Sequence, residues 1–306
     1  MLHRLLLRRL AAAGVVLFGV LTIVFFITRL TGDPVTLLAG TEASLADIAQ
    51  LRAQFGLDQP LPVQYGHFVA NVVRGNLGAS LRYRQPALTL VLDRLAATIE
   101  LALAAACISV VTGLSLGILA AVRPFSVWDH VSMAFAVVGQ TVPSFWLGIL
   151  LILIFPLRLG WFYTSGYGTI GHLVLPAVTL GLFQAARFAR LSRGGMIDVL
   201  VQDYVRTARA KGLPRWRVVT KHGLRNALLP LLSVLGIDVA TLLSGAVVTE
   251  TVFSWPGIGQ LAVQSVFARD YPVVQAVVLV ASVAFLLANL CADIAYALAD
   301  PRIRYG

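Results

Sequence analysis

Charge is what this chain has least of. Charged residues make up 12% of its 306 positions, about half of the ~25% usual in soluble domains. Only two of its 24 basic residues, Lys211 and Lys221, are lysine, and neither is followed by Ser or Thr. A phosphate-cradling P-loop needs that lysine-hydroxyl pair after a glycine-rich turn, so the chain is not expected to bind ATP by that route. There are two cysteines, Cys107 and Cys291, both inside apolar runs. With no Cys-x-x-Cys and no Cys/His cluster, neither a disulfide framework nor a zinc site is expected. His-Glu-x-x-His and Gly-x-Ser-x-Gly are missing, and the five histidines (His3, His67, His130, His172, His222) are scattered. The chain carries no catalytic constellation, so it is not expected to be an enzyme or to hold a cofactor of its own.

What is abundant is apolar surface. Hydrophobic residues reach 58%, against roughly 45–50% in soluble domains, and the mean hydropathy is +0.84. A water-soluble domain cannot hide that much apolar area, and disorder requires the opposite composition. The runs are long and unbroken rather than short and alternating, which excludes a β-barrel. An all-α polytopic membrane protein remains. Its formal charge of +10 then reflects the loading of cytoplasmic loops with Arg and Lys, and with no nucleic-acid-binding motif the basic balance does not indicate nucleic acid.

About 20 apolar residues cross a bilayer. Six segments qualify: Leu10–Leu30, Leu95–Val122, Val131–Leu157, Gly171–Leu191, Ala227–Val248 and Tyr271–Ala292. The first follows Arg4, Arg8 and Arg9, but it exceeds a signal peptide's apolar core and lacks a cleavage pattern, so it is read as an uncleaved span. Pro143 and Pro156 should kink the third. Ten basic residues between Arg187 and Arg225, with those near both ends of the chain, place both termini and the loop Ser192–Arg225 in the cytoplasm. The loop Thr31–Arg94 is then external. It holds a candidate amphipathic helix, Ser44–Phe55, capped by Ser44 and closed by Gly56.

The internal loop is the most patterned stretch. Asp203 suits a helix start and Lys211 a helix end. Gly212 suits a left-handed cap, and Pro214 opens a second helix running to about Arg225. The chain then re-enters the membrane through Asn226-Ala227-Leu228-Leu229-Pro230. Ala208 and Ala210 are small enough to let a short helix sit deeply in a partner's groove. A solvated basic loop held by anionic headgroups explains the same composition. Asp238 lies mid-span and Asp293 near a span end, where acids usually face a cavity or a partner. Glu250 should lie at the outer boundary and snorkel to water. Trp255-Pro256-Gly257-Ile258-Gly259 reads as a short re-entrant or surface element near the outer mouth, or as a turn in an interfacial aromatic belt.

The loop resembles the cytoplasmic "EAA" loop of ABC-importer permeases. The likeness is to the dipeptide/oligopeptide/nickel family, in its first-subunit, DppB/OppB-like branch. Further likenesses follow in chain order: Gly32-Asp33-Pro34, Phe55-Gly56-Leu57-Asp58-Gln59-Pro60, Arg74-Gly75-Asn76-Leu77-Gly78, Ala97-Thr98-Ile99-Glu100-Leu101, Thr249-Glu250-Thr251-Val252-Phe253, Trp255 to Gly259, and Asp300-Pro301-Arg302. The loop departs from the general motif in having Arg206-Thr207-Ala208 where that motif has Glu-Ala-Ala, so no role is carried over from the glutamate.

The resemblance implies a type I importer (MetI-like) permease core over residues 95–300. Residues 1–94 supply an extra span and the external insertion, 192–225 the coupling loop, and 301–306 a cytoplasmic tail. It implies an inner (plasma) membrane permease forming half of a pathway for a short peptide or related solute. The implied partners are a homologous DppC/OppC-like second permease, two ATP-binding domains (one fused chain or two) that bind ATP and Mg, and an extracytoplasmic solute-binding protein. ATPase coupling would fall to Asp203, Tyr204, Arg206, Ala208, Ala210, Lys211, Gly212, Leu213, Asn226 and Pro230. The passage or external gate would involve Asp238, Glu250, Trp255, Pro256 and Gly257. The alternative is an ion-coupled secondary transporter using the intramembrane acids.

Overall fold

An apolar run in lipid must satisfy its backbone internally, which leaves the helix as the economical solution. A computed structural model describes residues 2–30, 46, 49, 52, 53 and 57–299. The helix expected at Ser44–Phe55 with its Gly56 cap lies outside the described residues apart from isolated positions. Gly32-Asp33-Pro34, Phe55 and Asp300-Pro301-Arg302 also lie outside them. The helices are α1 (Leu2–Leu30), α2 (Leu61–Val73), α3 (Ala87–Val122), α4 (Val127–Thr141), α5 (Ser144–Ile152), α6 (Ile170–Leu200), α7 (Asp203–Ala210), α8 (Arg215–Arg217), α9 (Arg225–Val252), α10 (Ile258–Phe267) and α11 (Tyr271–Ala299). Among the described residues the β-structure is limited to one isolated bridge, Ala79 to Pro86.

Four described helices are long and apolar enough to cross a membrane, within α1, α3, α6 and α11, or up to five if the bent α4–α5 pair is one span. The fifth sequence span falls within the 28-residue α9. The second span begins earlier than expected, at Ala87 rather than Leu95. The fourth continues to Leu200 instead of stopping at Leu191, so Ser192 to Leu200 is helix and not loop.

The third span needs a larger correction. Val131–Leu157 is not one kinked helix but two, bent by 104° between Thr141 and Ser144. Pro143 has no N–H to donate and pushes its predecessor out of the α region. Val142 accordingly has ψ 123° and Pro143 ψ 137°. Two consecutive extended residues turn the chain, and Leu147 N–H to Pro143 O (3.0 Å) opens the new helix. Pro156 is accommodated by a wider π-helical turn, Leu153–Leu159, that continues α5.

The chain divides into two compact units, Met1–Ala96 with Gly257–Val283 and Ala97–Pro256 with Ala284–Gly306. In the first, Phe25 of α1 is buried against Tyr65 and Phe68 of α2, and Gln275 Nε2 donates to Thr28 Oγ1 at 2.9 Å. The buried carboxylate of Asp270 accepts from Ser80 Oγ at 2.5 Å and from the backbone N–H groups of Leu81 and Arg82. It thereby ties the turn before α11 to the segment before α3.

In the second unit α6 is the axis. Its neighbours approach through small residues, the usual means of close packing where the surrounding lipid is as apolar as the protein. A Cβ added at Gly117 of α3 would lie 1.7 Å from Ser192 Oγ, and one at Gly181 of α6 would lie 2.6 Å from Ala105 O. The start of α4 is clamped to α6 by a two-point ion pair, Arg193 Nε and NH2 to Asp129 at 2.6 and 2.8 Å.

Candidate functional site

The expected coupling element forms as a rigid corner. Asp203 is the first residue of α7, placing its carboxylate at the positive end of the helix. The helix closes in a Schellman arrangement. Gly212 has φ +75°, Gly212 N–H donates to Arg209 O (2.9 Å), and Leu213 N–H reaches Ala208 O (3.4 Å). Pro214 then caps α8. From there the sequence expectation of a second helix ending near Arg225 is corrected. Three residues of α8, a π-helical turn Val218–Leu224 and α9 follow one another without a break. α7 therefore stands at the foot of a helix 28 residues long.

What joins α7 to that foot is apolar packing plus one polar contact. Val205, Ala208 and Val218 are buried together, with Leu200 and Leu213 against them. Asn226 Nδ2 donates to Tyr204 Oη at 2.8 Å. Ala208 is 5% exposed and packs within the chain, so its smallness serves the contact with Val218 rather than an open face. Ala210 is exposed, as are Asp203, Arg206, Lys211 and Gly212. Arg206 lies 3.8 Å from Asp203, an ion pair largely in solvent. Pro230 falls in the second turn of α9. Val205, fully buried at the centre of the corner, was missed. Its signal was available, because Val205 and Ala208 share a helical face at i, i+3.

The residues expected at the passage do not form one site. Asp238 is buried mid-α9, where Arg187 NH1 donates to its Oδ1 at 2.7 Å. Glu250 lies twelve residues further along the helix, about 18 Å away at 1.5 Å per residue. It does not snorkel. It is fully buried and accepts a hydrogen bond from Thr98 Oγ1 at 2.7 Å. Trp255 is not an interfacial aromatic either. It is 1% exposed, its Nε1–H donates to Ala97 O at 2.9 Å, and Tyr167 meets its ring edge-on at 4.8 Å. An indole with a carbonyl in reach has no need of water. Tyr167 Oη in turn donates to Glu100 at 2.7 Å, and holding that proton for the carboxylate raises the tyrosine pKa. Pro256 is half-buried, and Gly257, buried, caps α10. Among the described residues no group of three or more His, Cys, Asp or Glu is placed to hold a metal ion.

Comparison with known proteins covers the whole chain. The family described as "Binding-protein-dependent transport system inner membrane component" matches residues 113–305, and its N-terminal counterpart matches residues 1–102. The glutathione transport system permease protein GsiC of Escherichia coli O6:H1 is 45% identical over 300 residues, 98% of each chain. That of Salmonella choleraesuis is 44% identical over 305 residues, the full length of both. Among solved structures, an inward-facing MetNI methionine ABC transporter chain superposes with a TM-score of 0.59 at 20% identity, covering 69% of this chain and 96% of that one. That likeness speaks to the fold of the core.

Proposed function

The chain belongs to the binding-protein-dependent transport system inner-membrane component family and is a multi-pass inner-membrane permease subunit of an ABC importer; we propose that it forms half of a translocation pathway for short peptides, of which glutathione, named for its relatives, is the first to test. Family membership implies ATP-binding partners and a solute-binding protein. On our reading the second half of the pathway is a homologous DppC/OppC-like permease. ATP and Mg are held by two ATPase domains that dock on α7, and both chain termini face the cytoplasm. The ion-coupled carrier finds no support among the relatives.

The observation that carries the mechanism is the corner at α7. ATP-driven closure of the ATPases moves a docked helix, and this one is joined to α9 by a buried cluster and the Asn226–Tyr204 hydrogen bond. The movement reaches the membrane as a displacement of α9, in the sense of alternating access. Taking a two-state permease from 1:99 to 99:1 requires about 5.5 kcal/mol of differential binding. A loose loop would dissipate such a push.

Gly212 provides the test. A Cβ there meets nothing within 4 Å, so only the left-handed backbone resists substitution, at roughly 1–2 kcal/mol for a non-glycine residue. Gly212→Val should leave membrane abundance unchanged while weakening ATPase co-purification and lowering uptake. Gly212→Asn, which tolerates that backbone better, should fall between. Normal attachment and uptake in Gly212→Val would remove the coupling role from this corner.

A further inference from the structure

A cavity of about 520 Å³ lies within the second unit, where the ends of two membrane-long helices meet the corner at α7. Val122, the last residue of α3, and Ile197 and Leu200 at the end of α6 wall one side. Arg209, Leu213 and Arg215 of the corner wall the other. The volume falls within the roughly 300–1,000 Å³ of small-molecule sites. Its chemistry is divided: two lining residues are arginine, the rest are apolar, and none of the described residues that line it is acidic. Both arginines are exposed, as are Pro124 and Val201 in the same wall, so the cavity opens to the surface. Arg215 is held in place, because its NH2 donates at 2.7 Å to Val122 O, a carbonyl at the end of α3 where intrahelical partners run out. That bond uses one of the five donors of a guanidinium. Arg209 stands in the last turn of α7. An anion between two like charges that share a cavity relieves their repulsion. Trp128 in the first turn of α4 and Trp216 of α8 are exposed on the elements to either side, and exposed indoles are typical of the headgroup level of a membrane.

A wall that is apolar apart from two guanidinium groups, at the ends of two spans, is complementary to an anionic amphiphile. We propose that this cavity binds an anionic phospholipid from the leaflet on the corner's side of the membrane. Arg209 and Arg215 receive the headgroup phosphate, whose oxygens match the fork of a guanidinium. The apolar residues take the glycerol and the first part of the acyl chains, and the rest of the chains extend into the bilayer. Basic pockets between helices at the cytoplasmic face are a recurring mode of headgroup binding. A soluble phosphate offers the same charge but leaves the apolar wall without a partner. A docked ATPase meets the exposed residues of α7, whereas this cavity is closed on one side by the spans themselves. The bound lipid ties the corner to the leaflet beside it. This inference goes beyond the peptide-permease reading and is indifferent to which solute is carried.

The test uses the assembled permease–ATPase complex in a neutral detergent, with lipid retention read by native mass spectrometry. Phosphatidylglycerol and phosphatidylcholine of matched acyl chains are the probes. The unaltered complex should retain phosphatidylglycerol in preference to phosphatidylcholine. Arg209→Ala combined with Arg215→Ala should weaken phosphatidylglycerol retention at least about tenfold, since one basic residue near an anionic surface is worth about fivefold. Lys221→Ala takes the same charge from the same basic loop but lines no part of the cavity, and should leave retention unchanged. Val201→Trp, at an exposed position of the wall, fills the cavity without changing its charge and should also displace the lipid. Assembly of each variant is read by ATPase co-purification. If the double variant fails to assemble, Val201→Trp decides. Equal retention of the two lipids, or an equal loss in Lys221→Ala, overturns the site. So does displacement of phosphatidylglycerol by inorganic phosphate at matched ionic strength, which would make it a site for a soluble anion. Unchanged lipid retention with lost ATPase attachment in the cavity variants would give the cavity to the ATPase and also overturn it. None of these results touches the permease reading, which fails only if the complex moves no peptide.

Discussion

Ala208 and Ala210 stand two positions apart on α7 and have opposite surroundings, one buried against Val218 and the other exposed. The same substitution at each should therefore fail in different ways. Ala208→Asp buries an unpaired carboxylate, among the few changes that cost well over the usual ~1 kcal/mol. It should unseat α7 from α9, and trypsin should then cut faster at Arg206, Arg209 and Lys211. Ala210→Asp should leave trypsin resistance unchanged and weaken only ATPase attachment. Matching trypsin profiles for the two variants would contradict the inward placement of Ala208. The smallness of both residues was legible in the sequence, as was the glycine cap. Which alanine faces inward was not, because it depends on Val218 across the turn. Glu250 and Trp255 were misjudged for the same reason on a larger scale. Their partners, Thr98 and Ala97, lie 152 and 158 residues away, and local pattern contains nothing about them.

At the scale of elements, hydropathy located the apolar helices, of which four, or up to five, are long and apolar enough to cross a membrane among the described residues, because a membrane helix is defined by composition and length. It did not find where helices stop inside a run. Pro143 was visible, but whether a proline kinks a helix or ends it depends on neighbours that satisfy or displace the freed carbonyls. Here the chain takes two extended residues and a 104° bend. The glycines that set helix spacing were equally visible and equally silent until paired with α6. Gly117 is the sharpest case, because a Cβ there would overlap Ser192 and approach Ala189 O at 2.6 Å. Backbone on a packed helix cannot yield as the end of a flexible side chain can. Gly117→Leu should separate α3 from α6 at a cost at or above the roughly 1–3 kcal/mol of ordinary overpacking. A lower melting temperature of the purified complex and reduced abundance are expected. Gly194→Leu, at a position with open space around it, is the control and should change neither. Equal behaviour of the two variants would mean that α3 and α6 do not pack through Gly117.

For the whole molecule the decisive quantity is the distribution of basic residues. Ten lie between Arg187 and Arg225, whereas the long segment from Thr31 to Arg94 has only five, and long translocated loops count little in setting orientation. The corner at α7 and the exposed Arg74 after α2 should therefore lie on opposite sides of the membrane. Single thiols at Thr207 and Arg74, both exposed, can report this once the two exposed native cysteines, Cys107 and Cys291, are replaced by alanine. In intact spheroplasts Arg74→Cys should react with a membrane-impermeant maleimide, and Thr207→Cys should react only after permeabilisation. Inverted vesicles should reverse the pattern. In those vesicles, if the ATPases dock on α7 as proposed, bound ATPase subunits should slow labelling of Thr207→Cys and should not affect Arg74→Cys. Reaction of Thr207→Cys in intact spheroplasts would turn the chain over in the membrane. With the corner outside, no cytoplasmic ATPase could act on α9 through it. Cytoplasmic labelling that is indifferent to the ATPases would keep the orientation and move the docking surface off α7.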